Sequence, residues 1–186
     1  MYTMKKTNLL MAFVMFLSFS VLAQSQTIEK SELKEEKTPQ DDQKSIAVFY
    51  VKDARSNGVD VTQQYIEGGT LLHLYKNIEY DKLLFSNFLE NNDSQSYGEI
   101  YSIVRKIIPE TEELYRVEMF SFYWSYNNTY DDESGTAEIR INLVYKPQGV
   151  AFKVTIVSED LDELVFKGEM VGDMSLLDNY IDKKQE

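Results

Sequence analysis

Residues 136–158 read TAEIRINLVYKPQGVAFKVTIVS. Before the turn formers Pro147 and Gly149, apolar side chains fall on odd positions: Ala137, Ile139, Ile141, Leu143 and Tyr145. After them they fall on even positions: Val150, Phe152, Val154 and Ile156. Alternation with a period of two marks a strand with one buried face. Facing residues of an antiparallel pair share one side of a sheet. Odd must therefore pair with even, and the loop around Lys146-Pro147-Gln148-Gly149 must have even length.

The neighbouring segments extend this pattern. Leu164, Phe166, Gly168 and Met170 are all even, so the loop around EDL must be odd in length. That register sets Phe152 opposite Gly168, where an aromatic ring covers the bare backbone. Upstream, FSFYWSY at 120–126 places Phe120, Phe122, Trp124 and Tyr126 on one side. Tyr115, Val117 and Met119 are odd, and this change of parity predicts a β-bulge near Glu118–Phe120. The same reading gives strands at about 46–52, 70–76, 83–89, 99–108, 114–127, 136–146, 150–158 and 164–171. Eight strands in sequential hairpins predict a mainly β fold, an antiparallel up-and-down barrel, with a two-sheet sandwich as the alternative.

Two helices flank the meander. DVTQQYIEGG predicts a short helix near 60–67, capped by Asp60 or Thr62, with Val61 and Tyr65 on one face and Gly68-Gly69 ending it. GDMSLLDNYIDKK predicts a C-terminal helix over 173–184. Asp173 is its N-cap, Met174, Leu177 and Ile181 recur at helical spacing, and Lys183 and Lys184 suit the negative end of the dipole.

The chain opens with Lys5 and Lys6, an apolar run over Leu9–Leu22, and Val21-Leu22-Ala23 before Gln24. This is the layout of a signal peptide cleaved near Ala23, and it predicts export to a periplasmic or extracellular space. The apolar run is short for a membrane span. Cleavage leaves 163 residues, one domain's worth, and deepens the net charge from −12 to −14 by removing two lysines. So acidic a surface repels phosphate backbones and anionic lipid, which sets aside nucleic-acid and electrostatic membrane binding. The absence of cysteine excludes disulfides and thiol chemistry. Residues 24–44 are polar and of mixed charge, and predict a disordered tether. The folded domain is expected over 45–186.

Asn57-Gly58-Val59-Asp60-Val61-Thr62, followed by Tyr65 and then a strand, resembles the opening of small secreted lipocalin-like proteins. The meander with a helix after it is similar in outline over residues 46–184. The Gly-x-Trp signature of lipocalins is missing from SIAVFYVK, and the single tryptophan is Trp124. The resemblance therefore implies a barrel and a small-molecule ligand but carries over no binding residue.

Alternating hairpins gather the long polar loops 53–69, 90–98, 128–135 and 159–163 at one end of such a barrel. Shorter connections gather at the other. A mouth is expected at the long-loop end. The aromatic row reads as core, with Phe122, Trp124 and Tyr126 the rings nearest a ligand. In the loop NNDSQSYG, Asn92, Gln95 and Tyr97 are candidate hydrogen-bonding partners. The acidic turns at 131–133 and 159–163 fit no EF-hand spacing and read as solvated turns. His73 is the only histidine, which excludes a multi-histidine zinc site. No G-x-S-x-G elbow is present for a triad. The expectation is a non-enzymatic barrel without metal or cofactor, binding a small apolar or amphipathic ligand. The alternative is a surface module whose acidic rim meets a protein or glycan.

Overall fold

A computed structural model describes residues 42–90 and 94–181. The signal-peptide and most of the tether assignments lie outside these residues. Among the described residues nine strands form one antiparallel sheet: β1 (Gln43–Ser56), β2 (Val59–Asp60), β3 (Thr70–Asn77), β4 (Lys82–Leu89), β5 (Ser94–Ile108), β6 (Val117–Asn128), β7 (Ser134–Lys146), β8 (Gly149–Ser158) and β9 (Glu163–Gly172). Each long strand pairs with the next, and β1 also pairs with β9, from Ala47↔Gly172 to Ser56↔Leu164. The eight long strands thus close into an up-and-down barrel. The two-residue β2 folds back on β1 through the Asn57-Gly58 turn, where both residues have positive φ.

Through β7–β9 each core side chain faces another across the turn, as the parity requires. Ile139 faces Ile156, Ile141 faces Val154 and Leu143 faces Phe152 across a two-residue turn. Phe152 faces Gly168 and Val154 faces Phe166. A Cβ at Gly168 would lie 1.9 Å from the Tyr50 carbonyl oxygen and 3.0 Å from the Phe152 ring, so strand packing requires glycine there. Trp124, Ile141, Val154 and Phe166 are all buried in one core.

The bulge expected in β6 is instead in β5. β6 pairs with β7 without interruption from Val117 to Asn127. The register shift lies between Tyr101 and Val104, where Ser102 has a positive φ. Inward positions in β5 therefore change from even, at Ile100, to odd, at Ile103 and Arg105. In β6 they stay even throughout, and Glu118 is the inward residue. Val117 and Met119 are half-exposed outer-wall residues, so their apolar character mimicked a change of face. β1 also begins earlier than expected: Gln43 and Lys44 pair with Asn77 and Lys76, so the last residues of the assigned tether belong to the wall.

Helix α1 (Thr62–Glu67) sits at the long-loop end. The Thr62 amide donates to Asp60 Oδ1 at 2.9 Å, and Thr62 Oγ1 bonds both the amide and the carbonyl of Ala54. Val61 and Tyr65 turn onto the core, and the Tyr65 ring meets Phe166 edge-on at 5.2 Å.

The C-terminal helix contracts to a 3-10 turn, Met174–Leu177, with Asp173 as its cap accepting from the Ser175 amide. Met174 and Leu177, three residues apart, both bury into the short-loop end of the barrel. The chain then crosses that end and pairs Ile181 with Ile103 in a parallel bridge. A continued helix could not make this bridge. Residues 182–184 of the expected helix lie outside the described residues. Along the wall, the overlap of β4 with β5 is the shortest, Leu84–Leu89 against Ser94–Glu99.

Candidate ligand site at the long-loop end

The site is built on the inner face of β6. Phe122 and Trp124 are 1% and 3% exposed, whereas Tyr126, one step nearer the mouth, is half-buried. Trp124 Nε1 donates to the Phe85 carbonyl at 3.1 Å, satisfying the one polar atom of the indole. Its ring meets Phe85 edge-on at 5.4 Å and Tyr126 at 4.6 Å. Tyr126 faces Gly98 on β5 and Gly135 on β7. A Cβ at Gly135 would lie 2.8 Å from the Tyr126 hydroxyl, so that glycine makes room for the ring. Burial, and then the carboxylates of Glu133, Glu159, Asp131 and Asp160, push the Tyr126 hydroxyl above its ordinary pKa.

Several polar side chains also belong to the inner face at this end. Thr70 continues the inward series of Leu72 and Leu74, and Asn87 continues that of Leu83 and Phe85. Ser96 faces Asn87 and Asn128 faces Ser96. Thr70 and Asn87 are each 8% exposed. Thr70 Oγ1 and Asn87 Oδ1 have no hydrogen-bond partner. A buried polar atom left unpaired costs about 1–3 kcal/mol. The alternation of apolar residues alone does not mark these polar positions. The signal was nevertheless present, since extending each period-two series by one step reaches Thr70 and Asn87.

The expected ligand-binding residues do not all meet. Phe122, Trp124 and Tyr126 are inside. Gln95 and Tyr97 lie on the outer wall, because Ser96 and Gly98 take the inward positions of β5. Tyr97 there faces Ser86 and Asn127, and the Gln95 backbone is fixed to Thr129. Asn92 lies outside the described residues. The middle of the barrel is filled by Phe49, Phe85, Phe120, Phe122 and Phe166. One cavity, of about 1170 Å³, borders α1 at Gln63, Gln64, Ile66 and Glu67; another, of about 370 Å³, lies against β8 and β9 near Gly149. Neither is lined by Trp124 or Tyr126.

The acidic loops use carboxylates as local caps. Asp131 accepts from the Glu133 amide, Glu159 from the Thr136 hydroxyl and Asp162 from Asn57 Nδ2. Among the described residues no group of three or more His, Asp or Glu side chains is placed to hold a metal ion. His73 stands on the outer wall, stacked on Tyr75, with Nε2 2.9 Å from Ser45 Oγ. Burial lowers its pKa, which favours the neutral ring. Among the described residues no helix is long and apolar enough to cross a membrane.

No known protein family, curated protein or solved structure matches this chain.

At the opposite end, Glu118 and Arg105 point inward. Glu118, 1% exposed, accepts from Arg105 at 2.8 Å and from Arg116. Arg105 also pairs with Asp178 of the C-terminal segment and lies over the Phe120 ring. This cluster fastens the end opposite the candidate mouth.

Proposed function

We propose that the chain is an exported, lipocalin-like, non-enzymatic barrel that binds a small apolar or amphipathic molecule at its long-loop end. The observation that carries this reading is the half-buried Tyr126 ring packed against Trp124 at 4.6 Å, tilted by 30°, at that end of a closed barrel. With phenylalanines filling the middle, the guest rests on this pair near the mouth. Export is supported by the signal-peptide layout of residues 1–23. Trp124 is the only tryptophan, so its emission reports directly on this end. A panel of fatty alcohols, fatty acids and aromatic metabolites should contain a class that changes Trp124 emission and raises the melting temperature. At a hundred times Kd the linkage amounts to about 2.7 kcal/mol, roughly 5–10 °C for a domain of this size. No response in either signal across the panel would overturn the reading.

A second reading, a surface module for a basic protein or a glycan, draws on the carboxylates of Glu133, Glu159, Asp131 and Asp160 around Tyr126. It predicts salt-sensitive binding that is lost in the variant Asp131→Asn/Asp132→Asn/Glu133→Gln.

A further inference from the structure

We infer that Thr70 and Asn87 form a polar anchor for the ligand, so that the guest is an amphipathic molecule carrying an O–H or N–H donor on an apolar body. This rests on the ligand-binding reading above. Both side chains are more than nine-tenths buried on the inner wall. Both present an oxygen that no protein group satisfies. They are neighbours: Thr70 faces Leu89 and Asn87 faces Leu72, which places them on a diagonal of the same face of β3 and β4. Leu72, Leu89 and Phe85 around them are apolar. Ser96 faces Asn87 from β5. Asn87 Oδ1 only accepts, and Thr70 Oγ1 accepts as well as donates, so both can take one donor group attached to a hydrocarbon or ring.

The anchor also adjoins the aromatic pair. Trp124 crosses from β6 to hydrogen-bond the carbonyl of Phe85, two residues before Asn87. A donor bound at Asn87 thus lies beside the indole, and its apolar body extends along Trp124 and Tyr126. Acceptors of this kind discriminate strongly, because an analogue lacking the donor leaves the buried oxygens unpaired.

The test compares decan-1-ol with its isomer methyl nonyl ether, which has the same number of heavy atoms but cannot donate. Affinity is read by Trp124 emission and calorimetry on the folded, signal-peptide-free chain. Decan-1-ol should bind at least tenfold more tightly than the ether. Asn87→Leu should abolish that preference while the ether binds as before, and Thr70→Val should reduce it. The wild-type comparison needs no variant, and Thr70→Val serves if Asn87→Leu does not fold. Equal binding of alcohol and ether to the wild type would overturn the anchor and leave the ligand-binding reading standing. A preference that survives both substitutions would overturn it equally. If neither compound binds, the anchor fails, and silence across the wider panel as well ends the reading beneath it.

Discussion

Glu118 is the residue whose environment departs furthest from the rule that charges stay in water. Its carboxylate is almost fully enclosed, and Arg105, with a side chain only 12% exposed, is its best-sequestered partner. Removing one member of a buried pair strands the other and costs about 3–5 kcal/mol. Arg105→Met should therefore lower unfolding free energy in urea by about that amount. Arg116→Met should cost less, because Arg116 is nearly half exposed and its loss leaves the Arg105 contact in place. The double substitution Arg105→Met/Glu118→Leu should recover most of the loss, and the shortfall from additivity measures the coupling. Nothing in the local pattern VEMFSF announces that Glu118 points inward. Its flanking Val117 and Met119 are the more apolar, and only the uninterrupted pairing with β7 shows which face is which.

Among the elements, the hairpins were the most legible. Each strand of β7, β8 and β9 has one apolar parity, and a one-residue slip would turn every core side chain to water. β5 was harder to read, because its bulge at Ser102 changes parity within YSIVRKII, a stretch apolar enough to suit either face. The candidate site was half legible. Phe122, Trp124 and Tyr126 follow from alternation, whereas Gln95 and Tyr97 were attractive as loop residues but extend β5 on its outer side. The C-terminal segment misled because Met174, Leu177 and Ile181 fit helical spacing, although one 3-10 turn already buries the first two. That segment is held by carboxylates whose pKa values lie below the ordinary range. The Ser175 hydroxyl and amide lower that of Asp173. The Lys76 ammonium lowers that of Asp81, which also accepts from the Tyr180 hydroxyl of this segment. A depressed folded-state pKa contributes stability above the unfolded value of about 3.9, and this is lost as pH falls through the folded value. Amide exchange over residues 174–181 should thus be unchanged between pH 7 and 5, after correction for intrinsic rates. Protection there should fall below about pH 4, before that of β6 and β7.

For the whole molecule, closure matters most. β1 is bonded on both sides, to β3 and to β9, so the barrel offers no long free edge for another chain to extend. Closed walls are nonetheless uneven. β5–β6 and β6–β7 are joined over most of their length, whereas β4 and β5 overlap only across Leu84–Leu89 and Ser94–Glu99. Native-state hydrogen exchange should find Leu84–Leu89 the least protected inner segment, with Phe120–Trp124 and Ile139–Leu143 among the slowest. Uniform protection around the ring would contradict this. Asn87 stands on that short overlap, and the indole of Trp124 is tethered to its backbone at Phe85. The barrel is thus built like a cask whose one short seam gives out toward the closed end, beyond Leu84 and Glu99, where Ile181 of the chain's own tail bridges Ile103.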